Sequence, residues 1–225
     1  MTTPGGGEGH FPGFDVMAEV DTWDTVTAGV VLARLAPPPP IRFFTVEEEP
    51  TARALVDRIL AQDSDPKVPA VEMIDQRLIN RAGDGFRFAD MPEDPEAWRR
   101  SIAGVDEDCR RRFGRPFRDL TRSEQIDWLE RFQETEGDWH GMPAGRVFSL
   151  WTRYACDAFS SHPWAWNEIG FGGPAYPRGY KALGVGKREG WEVADHHGED
   201  PVPFAARVER ARQRHRQTTS GQHSA

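Results

Sequence analysis

Apolar side chains recur at three- and four-residue intervals in six stretches between residues 21 and 160, the spacing of helices that bury one face. The first stretch runs Trp23, Val26, Val30, Val31 and Leu35 and stops at Pro37. The second opens on Thr45-Val46-Glu47-Glu48, a capping box in which the threonine hydroxyl meets the N3 amide and the glutamate reaches back. It continues through Ala52, Leu55, Val56, Ile59 and Leu60, and Pro50, which has no N–H to donate, predicts a tight or offset first turn. The third begins at Pro69, a residue tolerated at the first helical position, and carries Val71, Ile74, Leu78 and Ile79. A fourth helix from Glu96 places Trp98, Ile102, Val105, Cys109 and Phe113 on one face, which makes Cys109 a core thiol and not a reactive one. A second capping box, Thr121-Arg122-Ser123-Glu124, introduces Ile126, Trp128, Leu129 and Phe132, with Gly137 as the stop. The sixth starts near Pro143, and Val147, Leu150, Trp151, Tyr154, Ala155 and Ala158 form a face wide enough for the centre of a bundle.

The segments between follow from their punctuation. The prolines at 37–40 favour a stiff extended spacer. Residues 82–95, with Gly83, Gly85, Pro92 and Pro95, read as a loop that pins Phe86 and Phe88 onto the core. From 161 to 190 the helical period vanishes into glycine, proline and aromatic residues. A segment this long in a compact domain is functional or disordered, and so many tryptophans and tyrosines favour order. Beyond residue 201 the chain is polar and basic, with a short helical pattern of Phe204, Val208 and Ala211 opposite Arg207, Arg210 and Arg214. No internal repeat occurs, and no long segment alternates as a strand does. The expectation is an all-α fold: a single-domain helical bundle over residues 21–200 with a long ordered Gly/Pro/aromatic loop near its C-terminus. A flexible lead over 1–20 precedes it, and a basic tail over 201–225, partly helical and then disordered, follows.

Composition narrows the function classes. Apolar residues at 38% of 225 positions supply a core, while a net charge of −8 argues against nucleic acid and anionic membranes, which select a basic footprint. Cys109 and Cys156 both lie in helical stretches, which argues against a disulfide framework and suits a reducing compartment. No run approaches the roughly 20 apolar residues a membrane span needs, so direct membrane insertion is not expected. Residues 1–9 show neither a secretory pattern nor a twin-arginine pair. A cytoplasmic location is expected as encoded, or a periplasmic one through a partner that carries the export signal.

The candidate chemistry is sparse. The glycines at 5–7 and the pair Gly184 and Gly186 have neither the spacing nor the preceding strand of a dinucleotide site, and the two cysteines are too few and too far apart for covalent haem or an iron–sulfur cluster. His140, His162, His196 and His197 could meet Asp195 or Glu199 at a metal, but adjacent histidines are not a helical chelate and read as solvated loop. Asp157, His162 and Glu168 could form a catalytic group, without any nucleophile signature to support it. No catalytic, cofactor-binding or metal-binding residue is therefore assigned. The aromatic loop is different: Trp, Tyr and Arg on a Gly/Pro-shaped segment match the composition of interface anchors, and the helices already satisfy the demand for a core.

Three blocks carry a family likeness. Phe43-Phe44-Thr45-Val46-Glu47-Glu48, running into Ala54-Leu55-Val56-Asp57-Arg58-Ile59-Leu60, is the first. Phe113-Gly114-Arg115-Pro116-Phe117-Arg118-Asp119-Leu120, followed by Glu124-Gln125, is the second, and Phe159-Ser160-Ser161-His162-Pro163 through Gly170-Phe171-Gly172-Gly173-Pro174 is the third. In them the chain resembles the gluconate 2-dehydrogenase subunit 3 family over about residues 43–180, with Val46 where that family's opening motif has proline. The resemblance implies an accessory subunit with no catalytic residue and no cofactor of its own. Its partner would be a large FAD-containing dehydrogenase of the glucose-methanol-choline (GMC) oxidoreductase class, acting on sugars, sugar acids or glycosides, with a cytochrome c subunit as a further component of some complexes. The small subunit would bind the flavoprotein and stabilise or mature it.

Residues and resemblance together predict a partner-binding scaffold with Trp164, Trp166, Asn167, Phe171, Tyr176, Arg178 and Tyr180 at the interface. Two alternatives use the same loop, residues 162–180: a stand-alone sugar-binding module, and a hydrolase or lyase built on Asp157, His162 and Glu168.

Overall fold

Both capping boxes form as their spacing predicts. In the computed structural model, which describes residue 11, residues 13–63 and residues 65–194, Thr45 N donates to Glu48 Oε2 at 2.9 Å and Glu48 N to Thr45 Oγ1 at 3.3 Å. Helix α2 (Glu48–Ile59) follows. Pro50 sits within its first turn, where the backbone N–H has no intrahelical acceptor in any case, so the proline interrupts nothing. At the other box, Thr121 N donates to Glu124 Oε2 at 2.7 Å and opens α5 (Arg122–Gln133).

The remaining helices among the described residues are α1 (Thr25–Ala33), α3 (Ala70–Ile79), α4 (Asp94–Phe113), α6 (Ala144–Ser160) and α7 (Pro163–Ile169). Short 3-10 helices at Val16–Thr22 and Phe117–Asp119 accompany them. The domain is mostly helical, as the period predicts. Helix α6 is the hub: it touches α2, α3, α4, α5 and α7, and Trp151 and Tyr154 on it are fully enclosed. Their polar ends are satisfied, Trp151 Nε1 by Ser101 Oγ at 2.9 Å and Tyr154 OH by Asp94 Oδ2 at 2.6 Å, as buried donors require.

Two buried carboxylates tie the bundle to its connections. Asp75 on α3 accepts the backbone N–H groups of Arg42, Phe43 and Phe44 at 2.9, 2.8 and 2.9 Å, which fixes the end of the proline spacer against the core. Asp106 on α4 accepts from Thr51 Oγ1 at 2.9 Å and from Phe117 N at 3.1 Å, and Gln125 Nε2 donates to Phe117 O at 3.0 Å. The turn that carries Phe117 is thereby locked between α2, α4 and α5. Cys109 is buried on α4, and burial pushes its thiol up to about 12.

Several local details differ from what the spacing alone predicts. Residues 163–169, read as loop, are helix α7, which is too short to complete two helical periods. Residues 138–143, after Gly137, form a two-residue-stranded hairpin, β1 (Asp138–Trp139) with β2 (Met142–Pro143). Its turn, His140-Gly141, has positive φ at both positions, +49° and +74°, the geometry that matches strand twist. Phe88 packs on the core, but Phe86 is 57% exposed. Ile79 is 42% exposed beside a buried Leu78, because adjacent helical residues point about 100° apart. The lead/body boundary expected at residue 20 falls inside the Val16–Thr22 turn, whose Val16 is fully buried. Val193 ends the first of two compact units of the chain; the tail expected over 201–225, with Phe204, Val208 and Ala211, lies outside the described residues.

Candidate partner-binding surface

Helix α7 begins and ends on sequence signals. His162 is its N-cap, with Nδ1 accepting the Trp164 N–H at 3.2 Å; Pro163 takes the first helical position, and Gly170 closes the helix in the left-handed region at φ +69°. His162 is 2% exposed, and burial lowers its imidazole to about 4, with the nearby Arg34 guanidinium opposing a second positive charge. The ring is therefore neutral, and the cap bond places its proton on Nε2.

Around α7 lies a second, smaller core of Val16, Trp23, Val31 and Trp166. Trp166 Nε1 donates to Ser160 O at 2.6 Å, Val16 N donates to Asn167 Oδ1 at 2.8 Å, and Arg34 on the α1 side reaches Ser161 O at 2.6 Å. The chain after α7 closes over this core: a Cβ on Gly173 would fall 2.4 Å from the Trp23 ring. Arg178 completes the clamp, donating to Glu19 Oε2 at 3.0 Å, to Thr22 Oγ1 at 2.9 Å and to Gly172 O, with its guanidinium 3.8 Å from the Trp191 ring centre.

The structure thus divides the seven expected interface residues. Trp166 and Asn167 are 4% and 1% exposed and hold the second core together, so they are not available as surface anchors. The Arg178 side chain is 10% exposed and its two terminal nitrogens donate within the chain. Trp164 is half-buried against the main core. Phe171, Tyr176 and Tyr180 remain outside at 39%, 67% and 59%, and Ile169, unnoticed in the sequence, joins them at 55%. Which rings face inward is decided by how α7 packs: Trp166 is buried in the second core, while Ile169, the last residue of the helix, is left exposed.

A further surface was missed. Val26, Val30 and Leu32 on α1 are 74%, 53% and 48% exposed, whereas Val31 is 1% exposed. The helix is apolar all round, so its period does not choose a face, and the expected core line of Trp23, Val26, Val30, Val31 and Leu35 holds only at Trp23 and Val31. The absence of any charged residue from 25 to 33 was the available signal.

The catalytic alternative loses its centre. His162 is buried as a helix cap, and Asp157, half-exposed on α6, is bound by Arg77 at 3.1 Å. Among the described residues no hydrogen bond joins His162 to Asp157 or Glu168. His140 pairs with Asp108 at 3.1 Å, beside Trp139 Nε1 on the same carboxylate at 2.7 Å. Among the described residues no group of three or more His, Cys, Asp or Glu could hold a metal ion; His196 and His197 lie outside them. An open cavity of about 500 Å³ is lined by Arg77, Arg81, Phe86, Asp94 and Tyr154, among others. Its guanidinium and carboxylate groups are largely paired with one another: Arg77 with Asp84, Arg81 with Glu93, and Tyr154 with Asp94. Among the described residues no helix is long and apolar enough to cross a membrane.

Compared with known proteins, residues 46–173 match the model of a family described as gluconate 2-dehydrogenase subunit 3. No curated protein and no solved structure matches the chain.

Proposed function

The chain belongs to the gluconate 2-dehydrogenase subunit 3 family, and from that membership we propose that it is the non-catalytic small subunit of a flavin-dependent sugar or sugar-acid dehydrogenase. Its role is to bind the large FAD-containing GMC-type subunit and keep it folded and loaded with flavin. The observation that carries this reading is the exposed apolar segment after α7, where Ile169, Phe171, Tyr176 and Tyr180 stand 39–67% open beside a locked second core. Large apolar side chains left exposed along one segment are candidates for a surface that another protein covers. Tyr176 is the least constrained of them, since Phe171 leans on Trp166 and Tyr180 on Trp191.

The test is co-expression of the large subunit with and without this chain, measuring soluble yield and flavin absorbance per polypeptide. Loading that falls without the chain, and falls equally with Tyr176→Ala plus Phe171→Ala, supports the reading. Equal loading in all three cases overturns it.

A further inference from the structure

Helix α1 is a nine-residue helix without a charge, attached to the body through one side only. Its inward side is Val31, flanked by the half-buried Thr27 and Ala28; its outward side carries Val26, Gly29, Val30, Leu32 and Ala33, all exposed. On a helical projection Gly29 and Ala33 fall at the middle of the outward face, with Val26 and Val30 to one side and Leu32 to the other. Gly29 has no packing reason within this chain: a Cβ there would meet nothing within 4 Å, and its φ is not in the left-handed region. A helix-interior glycine is destabilising relative to alanine, so its use where space is open points to a backbone arriving from outside.

We propose that this face seats a helix of the large partner subunit, crossing closely at Gly29 and carrying Lys or Arg on its flank. The inference rests on the proposed complex and adds to it a second contact, separate from the aromatic segment after α7. Charge selects the occupant. Asp21 and Asp24 precede the face and no cation occurs from residue 13 to 33, while Glu19 is already paired with Arg178 and the Arg34 guanidinium is turned to Ser161 O. Asp24 also caps α1 through Thr27 N at 2.8 Å, and its hydrogen bonds to Thr27 hold its carboxyl below the usual range, so it stays charged. A second copy would bring the same acids against them. A nine-residue helix is about 13 Å long and offers on the order of 200 Å², against roughly 800 Å² per partner in a stable pair, so this face alone does not hold two copies together. The face therefore works as one part of a larger interface with a different, basic-flanked protein.

The test uses the full chain in complex with the co-purified large subunit. A photo-crosslinking residue at Val30 is expected to label a large-subunit peptide that is apolar on one side and has Lys or Arg within a turn. Gly29→Leu and Val26→Asp are each expected to weaken the complex about tenfold or more, with helix content unchanged, while Glu130→Ala on α5 leaves it as it was. Crosslinks to a second copy of this chain, or a wild-type complex indifferent to both substitutions, overturn this inference alone. A wild-type chain that binds no large subunit removes the proposed complex and this contact with it.

Discussion

Acid sensitivity centred on His162 follows from its position. Buried at 2% exposure with its imidazole lowered to about 4 from an ordinary 6.5, the ring is neutral in the folded chain and titrates normally when unfolded. Because the folded value is the depressed one, its stabilising contribution is complete above pH 6.5, declines as pH falls through the window from 6.5 to about 4, and is exhausted below that. A difference of some 2.5 units corresponds to about 3 kcal/mol between the limits. The structural event is specific: a proton on Nδ1 would face the Trp164 N–H it now accepts, so the α7 cap is lost on protonation. His162→Asn keeps a capping side chain without the titration. Urea unfolding of both proteins at pH 7.5, 6, 5 and 4 is expected to show the wild-type stability falling by about 3 kcal/mol relative to the variant's as the pH drops, since carboxylates titrate alike in both. Parallel curves for the two proteins across that window would refute the assignment of the low value to His162.

Three further outcomes follow. Gly29→Ala is expected to stabilise the isolated chain by roughly 0.5–1 kcal/mol in chemical denaturation, since the site is open and helical; a loss of stability would mean the space is filled from within. Trp166→Ala removes the centre of the second core and its bond to Ser160 O, and is expected to cost about 3–5 kcal/mol, whereas Tyr176→Ala should leave the unfolding midpoint unchanged. Titration of the folded chain with a thiol reagent is expected to consume Cys156, which is exposed, while Cys109 reacts only on unfolding; two fast thiols would contradict the burial of α4.

The site was partly legible and partly not, and the difference is physical. Tryptophans and tyrosines after residue 160 announced an ordered segment, but composition does not say which side of a ring meets water. Gly170 stops α7 and His162 caps it, but seven helical residues carry no period from which to read the helix or its face. On α1 the failure has the opposite cause: every position is apolar or small, so any face satisfies the pattern, and only contact with Trp166 and Val16 selects Val31 over Val26 and Val30.

The sequence by itself determined the long helices, the two Thr/Glu caps and most of the core lines, because a repeated spacing and a paired Thr and Glu act locally and need no partner elsewhere. It also carried the family, through blocks whose residues turn out to be structural: Phe43 and Phe44 are held by Asp75, and Phe117 by Asp106 and Gln125. Only the tertiary structure decided that residues 16–33 and 163–178 meet in a second core. Those contacts join positions separated by more than 130 residues along the chain, and nothing in the local pattern of either segment encodes the other. That meeting consumes Trp166, Asn167 and Arg178, and it leaves Val26, Val30, Phe171 and Tyr176 facing outward.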